Sequence, residues 1–384
     1  MTLTYGLAAC GVWLIWDSVL RFVLLCLRTV KRPVSHASSN AHTRGGIILI
    51  AAHNEAGTIG PTVRALREHL DEWPNASLWV IADRCNDNTA QEAADAGAYV
   101  APRPDGRLGK GAVLAWWLEN YRHVWSGNDC FIILDADSRL VAGSLRAFNQ
   151  TMANGAAVAQ GFVAPQAVNR AGRLAGWSEV LMQRIDDEAR QRCRWSVPLR
   201  GTGMVFQASL LAELAPRLHT LAEDLELDCL LAARQTRVFF SPNARIIDPK
   251  PQQVAGASRQ RARWLQGQLQ VLRDYYAEIF QSLLRNGASA WFLLWLLFLR
   301  PKILLIAARL ATLVLALLGG ATGLALVVTG GLLLDALYYL AGAAFVEEPL
   351  RYCRDMLALP RYIAMWAYGL GLATIRRGWL RAGR

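Results

Sequence analysis

The hydrophobic pattern divides this chain into three parts. Residues 3–27 are largely apolar, and about 20 such residues are enough to cross a bilayer as a helix. From residue 45 to about residue 250, short apolar runs alternate with amphipathic stretches of helical length. After residue 285 the chain is strongly apolar again. The pattern therefore predicts membrane segments on both sides of a middle domain.

The middle part predicts an α/β fold with a mostly parallel sheet. Its apolar runs predict strands over residues 45–52, 78–82, 131–135, 156–164 and 237–240. Its amphipathic stretches predict helices near residues 57–72, 109–122, 143–153 and 172–192. The first three runs are apolar throughout, which is typical of strands covered on both faces, and the alternation of strands with helices indicates parallel neighbours.

The two apolar ends carry charges that suggest an orientation. Asp17 and Arg21 interrupt the first run, and residues four apart on a helix share a face and can pair. Basic residues follow at 28, 31 and 32, which predicts that this helix ends in the cytoplasm. The stretch 303–345 is long enough for two more crossings with a turn at 319–323, whereas 362–375 is marginal for a span.

Three polar segments directly follow the first three predicted strands: HNE (53–55), DRCNDNT (83–89) and DADS (135–138). In open α/β sheets, ligands bind beyond the carboxyl ends of the strands. We therefore expect these segments to line one site. The middle segment also has a structural interpretation, because Asp87 or Asn88 can cap a helix that starts near Thr89.

Asp135 and Asp137 point to a divalent cation. Two close carboxylates repel each other, and a cation removes that repulsion. Mg²⁺ typically uses one or two carboxylates and completes its shell with phosphate oxygens of the substrate. For an isolated D-x-D, a solvated turn after a strand is the competing interpretation.

Four further segments hold candidate chemistry. LGKGAV (108–113) places Lys110 between two glycines, which suits a phosphate, although it does not fit a Walker A loop. GTGM (201–204) does not fit the dinucleotide fingerprint either. LAEDLELD (221–228) carries four carboxylates at a predicted helix start, where the helix dipole alone would stabilise them. In RQRARWLQGQ (259–268) an amide, a guanidinium and an indole share a helix face, which suits phosphate and sugar or a membrane surface.

Composition narrows the classes of partner. The net charge of +11 fits a phosphorylated ligand or an anionic membrane surface, and the chain has no zinc-finger spacing or RNA-binding aromatic signature, so we expect no nucleic-acid partner. The seven cysteines are scattered without a C-x-x-C pair, which fits a reducing compartment.

Taken in order, these motifs resemble the membrane-bound family 2 glycosyltransferases, the group that includes cellulose, chitin and hyaluronan synthases. The resemblance covers residues 45–268 and implies a GT-A fold, a nucleotide-sugar donor and Mg²⁺ or Mn²⁺. It implies a catalytic base, donor-binding residues, an acceptor-binding residue and metal ligands: Asp224 as base; Glu55, Asp83, Lys110, Asp135, Gln260 and Arg263 at the donor; Trp264 at the acceptor; Asp135 and Asp137 at the metal. The chain departs from the family pattern in two motifs: Ala222 stands where T-E-D has threonine, and the usual D-D-x-S reads Ala82-Asp83-Arg84-Cys85.

The resulting prediction is an inverting, metal-dependent hexosyltransferase that extends a polysaccharide from a UDP-sugar. The alternative is transfer of one sugar to a lipid acceptor, as in ceramide-glucosyltransferase-like enzymes, and a non-catalytic scaffold with a relic domain is a third possibility. We predict a multi-pass inner-membrane protein with a cytoplasmic catalytic domain, in contact with membrane lipids and open to an oligomer or an export partner. The predicted parts are an N-terminal transmembrane helix (1–30), a linker (31–44), the GT-A domain (45–250), an interfacial region with Q-x-x-R-W (251–285) and C-terminal transmembrane and interfacial helices (286–384).

Overall fold

The computed structural model describes residues 2–28, 45–73, 75–167, 169–250, 254–286 and 302–359. The strands are β1 (Gly46–Ala52), β2 (Ser77–Asp83), β3 (Tyr99–Arg103), β4 (Cys130–Asp135), β5 (Arg139–Leu140), β6 (Val158–Gln166), β7 (Met204–Gln207) and β8 (Phe239–Pro249). The helices are α1 (Thr2–Arg28), α2 (Ile59–Arg67), α3 (Thr89–Asp95), α4 (Lys110–Asn120), α5 (Ser144–Ala153), α6 (Arg170–Leu181), α7 (Glu188–Arg192), α8 (Ala208–Leu214), α9 (Glu223–Ala233), α10 (Val254–Asp274), α11 (Tyr276–Asn286), α12 (Lys302–Leu318), α13 (Thr322–Gly342) and α14 (Pro349–Met356).

The strands form one eight-stranded sheet in the order β3-β2-β1-β4-β7-β6-β8-β5. β1 to β4 are mutually parallel, and β6 is parallel to β8. β7 runs antiparallel to both of its neighbours, β4 and β6, and β5 runs antiparallel to β8. The predicted α/β class and mostly parallel sheet are therefore confirmed, with β7 inserted in the opposite direction.

The first strands form as their sequence predicts because both of their faces are covered. Alternate residues of β1 fall into two separate hydrophobic layers, with Ile47 and Leu49 on one side and Ile48 and Ile50 on the other. All four side chains are buried. Apolar residues throughout the strand are thus required, not merely allowed.

Three strands were missed and one was misplaced by the sequence prediction. β3 contains Pro102 and lies at the edge of the sheet, where the missing N–H of proline costs no ladder hydrogen bond. β5 and β7 are short, at two and four residues. The strand predicted at 237–240 begins at Phe239 and continues to Pro249, because it pairs along almost the whole of β6.

The predicted helices agree more closely. The stretch predicted as one helix over 57–72 consists of α2 and a 3₁₀ turn at Leu70–Glu72. Residues Arg170 to Arg192 are helical throughout, and the segment Met182–Asp187 within them is a π-helix. π segments within α-helices often occur near functional sites.

The terminal helices α1, α12 and α13 are joined by buried charges. Arg21 Nε lies 3.4 Å from Asp17 Oδ1, which confirms the predicted pair. Lys302 Nζ bridges Asp17 Oδ2 at 3.0 Å and Asp335 Oδ1 at 2.8 Å, and Arg309 also contacts Asp335. Removing one partner from such a buried set would leave an uncompensated charge, so these contacts fix the relative register of the three helices.

Membrane crossing has limited support among the described residues. One helical stretch there, Thr322–Phe345, is long and apolar enough to span a bilayer, and a buried core helix can meet the same criteria. α12 has only 17 residues, so the prediction of two crossings within 303–345 is not supported, although the helices do separate near the predicted turn. The predicted linker, the apolar run at 291–299 and the segment 362–375 lie outside the described residues.

Candidate active site

The ends of β1, β2 and β4 meet at one edge of the sheet, as predicted. Ala51 of β1 pairs with Asp135 of β4, and Ala52 pairs with Ala82 of β2, so Asp83 follows at the same level. Asp83 and Asp135 flank β1 and are therefore separated by about two strand spacings, or roughly 10 Å.

The loops after β1 and β2 are tied together by side chains that accept backbone hydrogen bonds. The Glu55 N–H donates to Thr89 Oγ1 at 2.7 Å, and the Ala56 N–H donates to Asp87 Oδ2 at 3.2 Å. Asp87 also accepts the Thr89 N–H at 3.0 Å, so it serves the start of α3 as predicted, whereas Asn88 makes no side-chain cap. Glu55 thus lies on an anchored loop with its side chain half-buried.

Asp83 is buried between two guanidinium groups. Arg103 Nη1 donates to Asp83 Oδ1 at 2.6 Å, and Arg84 donates through Nε at 3.0 Å and Nη2 at 2.5 Å. Burial alone would raise the pKa of the Asp83 carboxyl, but these hydrogen bonds hold the pKa below its usual value. Arg84, the residue directly after Asp83, therefore neutralises Asp83 and does so from a left-handed conformation with φ of 50°.

Lys110 and Asp135 form the centre of the site. Lys110 is the first residue of α4, and its ammonium group contacts Asp135 Oδ1 and donates to the Gly201 carbonyl at 2.7 Å. Burial acts against the charge on each group, but the mutual attraction lowers the pKa of Asp135 and raises the pKa of Lys110. The Asp135 side chain keeps 45% of its surface exposed, so its remaining oxygen can reach a ligand. Asp137 lies half-buried in the same turn.

Glu223 and Asp224 open α9 beside the same glycine. A β-carbon placed on Gly201 would lie 3.9 Å from both Glu223 Oε1 and Asp224 Oδ2. Burial and the neighbouring Asp224 charge raise the pKa of Glu223 to about 7. Glu223 is therefore about half protonated at pH 7, and Gly201, whose carbonyl accepts from Lys110, lies beside both acids.

The other two carboxylates of the 221–228 segment are structural. Glu226 accepts hydrogen bonds from the N–H groups of His219 and Thr220 and from Tyr275 Oη. Asp228 accepts the Leu199 N–H at 3.2 Å. These two acids fix the loops that lead into the site, so only the first two acids of the segment face it.

α10 packs on the loop that precedes α9. A β-carbon on Gly267 would lie 2.6 Å from Ala222 Cβ, and the Leu221 N–H donates to Gln270 Oε1 at 2.9 Å. The small Ala222, where the family pattern has threonine, makes this close approach possible. Trp264 has 38% of its surface exposed, and the positive charge of Arg263 is near enough to lower the pKa of Asp135. The side chain of Gln260 lies outside the described residues.

Three residues near the site were not singled out by the sequence analysis. Arg103 pairs with Asp83 from β3, and Thr202 accepts the Asp135 N–H at 3.2 Å. Lys250, just after β8, lies 2.7 Å from Glu179 Oε2 and 2.7 Å from Asp248 Oδ2 and adds positive charge near Asp135. Each lies on or next to a strand that the hydrophobic pattern either missed, as with β3 and β7, or predicted to end too early, as with β8.

The metal-ligating oxygens available here fit a divalent cation that takes the rest of its coordination shell from a phosphorylated ligand. Asp135 and Asp137 supply hard carboxylate oxygens at the mouth of the site. No group of three or more His, Cys, Asp or Glu side chains suited to a metal occurs within the described ranges. Mg²⁺ and Mn²⁺ commonly use few protein carboxylates and take other oxygens from phosphate and water.

Comparison with known proteins connects this arrangement to one family. The family model described as glycosyl transferase family group 2 matches residues 130–345. A comparison with curated proteins finds no match.

Solved structures share the fold at low sequence identity. The mannosyltransferase PcManGT from Pyrobaculum calidifontis, described in complex with GDP-mannose and Mn²⁺, is 17% identical with a TM-score of 0.56, and the alignment covers 96% of each chain. Glucosyl-3-phosphoglycerate synthase from Mycobacterium tuberculosis, in complex with Mn²⁺, UDP-glucose and phosphoglyceric acid, is 19% identical with a TM-score of 0.37, covering 53% of this chain and 71% of its own. The first of these structures confirms the GT-A-like architecture.

Proposed function

Because this chain belongs to glycosyl transferase family group 2, we propose that it transfers a sugar from a nucleotide sugar to an acceptor hydroxyl, with inversion at the anomeric carbon. The observation that carries the proposal is the grouping of Lys110, Asp135, Glu223 and Asp224 around Gly201. Cationic and acidic groups thus lie together between the end of β4 and the start of α9.

The donor lies along the strand ends in this proposal. Glu55 and Asp83 face the nucleoside, while Lys110 and Arg263 supply positive charge to the diphosphate. Asp83 reaches the nucleobase only if Arg84 shifts, because Arg84 covers both carboxylate oxygens. Gln260 retains its proposed donor role on the basis of its position in α10 alone.

Asp135 and Asp137 would hold the divalent cation, Mg²⁺ or Mn²⁺. That ion would neutralise charge on the departing nucleoside diphosphate, so no acid is needed to protonate the leaving group. Lys110 already compensates Asp135 when no ligand is present. We therefore expect Lys110 to turn from the carboxylate toward the phosphates as the donor binds.

Asp224 removes the proton from the acceptor hydroxyl. Because burial and the neighbouring Asp224 charge raise the pKa of Glu223 to about 7, Glu223 is the member of the pair that takes up a proton near neutral pH, and Asp224 is the member assigned as base. A positioned general base contributes roughly 10²- to 10⁴-fold in rate. Because one base suffices and the sugar is displaced directly, the anomeric configuration inverts.

The acceptor is presented at a lipid surface. Trp264 offers an exposed ring on α10, and α11 continues from it with exposed Tyr276, Phe280 and Leu284 spaced four apart. The sequence then runs into the apolar stretch 291–299. An amphipathic helix of this kind lies in a membrane interface. This supports a lipid-linked acceptor over a free sugar. The alternative acceptor is a growing polysaccharide, carried on a lipid or exported through a partner.

Nucleotide release from purified protein in lipid tests the function. UDP-glucose, UDP-N-acetylglucosamine and GDP-mannose are supplied separately with Mn²⁺ or with chelator. The proposal expects metal-dependent release from one donor class and a product whose length on a gel separates single transfer from polymer. No release from any donor at any metal concentration would contradict it.

A further inference from the structure

The GTG segment at residues 201–203 does not fit the dinucleotide fingerprint, but it lies against Lys110, the D-x-D turn and the acids that open α9. Its first residue, Gly201, accepts a hydrogen bond from Lys110 and lies beside Glu223 and Asp224. Its third residue, Gly203, donates through its N–H to the Ile133 carbonyl of β4 at 2.9 Å. The segment therefore lies between the metal-binding turn and the start of α9.

Thr202 connects the segment to the D-x-D turn through its hydroxyl group. Thr202 Oγ1 accepts a hydrogen bond from the Asp135 N–H at 3.2 Å. It also forms a hydrogen bond with Ser138 Oγ at 2.8 Å, in which either hydroxyl can donate. Thr202 is 2% exposed and Ser138 is fully buried, so water does not replace either contact. One hydroxyl thus holds both ends of the four-residue turn that carries Asp135 and Asp137.

The backbone of the segment is itself fixed from the opposite side. Gln160, fully buried in β6, donates through Nε2 to the Thr202 carbonyl at 3.0 Å and accepts the Arg200 N–H through Oε1 at 3.0 Å. The backbone that presents the Thr202 hydroxyl is therefore held by Gln160 independently of the D-x-D turn.

We propose that Thr202 is a positioning residue that sets the geometry of the Asp135–Asp137 turn for the metal–diphosphate ligand. The proposal rests on the function proposed above. Thr202 does not touch substrate, and it acts through the backbone of Asp135 and the side chain of Ser138. Loss of the hydroxyl should weaken metal-dependent donor binding while leaving the acid–base pair in place.

Thr202→Val tests this role because it keeps the shape and removes the hydroxyl. Calorimetric titration with UDP and Mn²⁺ should show a dissociation constant raised by roughly 5- to 30-fold, or about 1–2 kcal/mol at 1.4 kcal/mol per tenfold, because only part of the cost of the unsatisfied Asp135 N–H is specific to the bound state. Thr202→Ser keeps the hydroxyl and should bind within about twofold of wild type. The KM for Mn²⁺ should rise with Thr202→Val, while kcat at saturating Mn²⁺ changes by less than about threefold.

A matched control separates positioning from stability. Thr151 makes a similar hydroxyl pair with Ser241 Oγ at 2.9 Å, away from the site. Thr151→Val should lower the melting temperature as Thr202→Val does, without changing binding of UDP and Mn²⁺. Equal binding by wild type and folded Thr202→Val would overturn the proposal.

A second variant covers the case in which Thr202→Val does not fold. Ser138→Ala removes one of the two hydroxyl contacts and should weaken binding by about 2- to 5-fold, whereas unchanged binding would count against the proposal. If the wild-type protein binds neither UDP nor GDP with Mn²⁺, the proposed function itself is contradicted, and the role of Thr202 with it.

Discussion

The protonated state of Glu223 makes stability depend on pH in a way that a single substitution should remove. Its carboxyl has a usual pKa of 4.5, and burial together with the adjacent Asp224 raises the folded-state pKa to about 7. Because the folded pKa is the higher one, the folded state binds the proton more tightly. The resulting stability is fully present below pH 4.5 and is lost as pH rises through 7.

The size of this effect follows from the pKa difference. A shift from 4.5 to about 7 corresponds to roughly 3 kcal/mol at 1.36 kcal/mol per unit. Since Glu223 is only half-buried and titrates together with Asp224, we expect on the order of 1–3 kcal/mol. For a domain of this size, that corresponds to a melting-temperature change of roughly 2–8 °C.

Glu223→Gln should abolish this part of the pH dependence. Melting temperatures are measured at pH 5, 6, 7 and 8 without metal or donor. Wild type and variant should differ least at pH 5, and the variant should become increasingly the more stable protein as pH rises to 8. Glu213→Gln is the control, because Glu213 is exposed and its pKa is lowered by Arg234, so it adds no slope in this range. Parallel curves for wild type and Glu223→Gln would refute the reasoning.

Three further substitutions test the assigned roles. Asp224→Asn should bind UDP with Mn²⁺ as wild type does and lose at least 10²-fold in transfer rate, and turnover above about a tenth of wild type would exclude Asp224 as the base. Trp264→Ala should lose transfer to acceptor by about 5- to 100-fold while donor hydrolysis by water persists, whereas parallel loss of both with a lower melting temperature would indicate a membrane anchor instead. Gly267→Ala should destabilise by about 1–3 kcal/mol, because its methyl group meets Ala222, although alanine is the better helix former by about 1 kcal/mol. Gly330→Ala, a helical glycine with open space around it, is the matched control, and equal melting temperatures for both variants would contradict the packing argument.

The strands that position the site were predictable because their requirements are local. β1, β2 and β4 are apolar along their length, and the polar residues that follow them lie at one edge in consequence. The predicted helix near 109–122 likewise agrees with α4, which begins at Lys110.

The remaining site residues depend on pairings that sequence pattern does not encode. Thr202 reaches Asp135 only because β7 inserts antiparallel between β4 and β6. Arg103 belongs to an edge strand whose proline argues against a strand when read alone. Likewise, Glu226 and Glu223 look equivalent in sequence, and only the packing of Tyr275 and Thr220 makes Glu226 structural.

Asp137→Ala provides the most direct test of the central claim, that the D-x-D turn holds a divalent cation for a nucleotide sugar. The residue lies on a half-buried turn, so the variant should fold with a melting temperature close to that of wild type. UDP and GDP are titrated calorimetrically into both proteins, with Mn²⁺ and with chelator. We expect wild-type binding to strengthen at least tenfold with Mn²⁺ and binding by Asp137→Ala to be insensitive to the metal. The same Mn²⁺ enhancement in the variant as in wild type would contradict the metal assignment and the mechanism built on it.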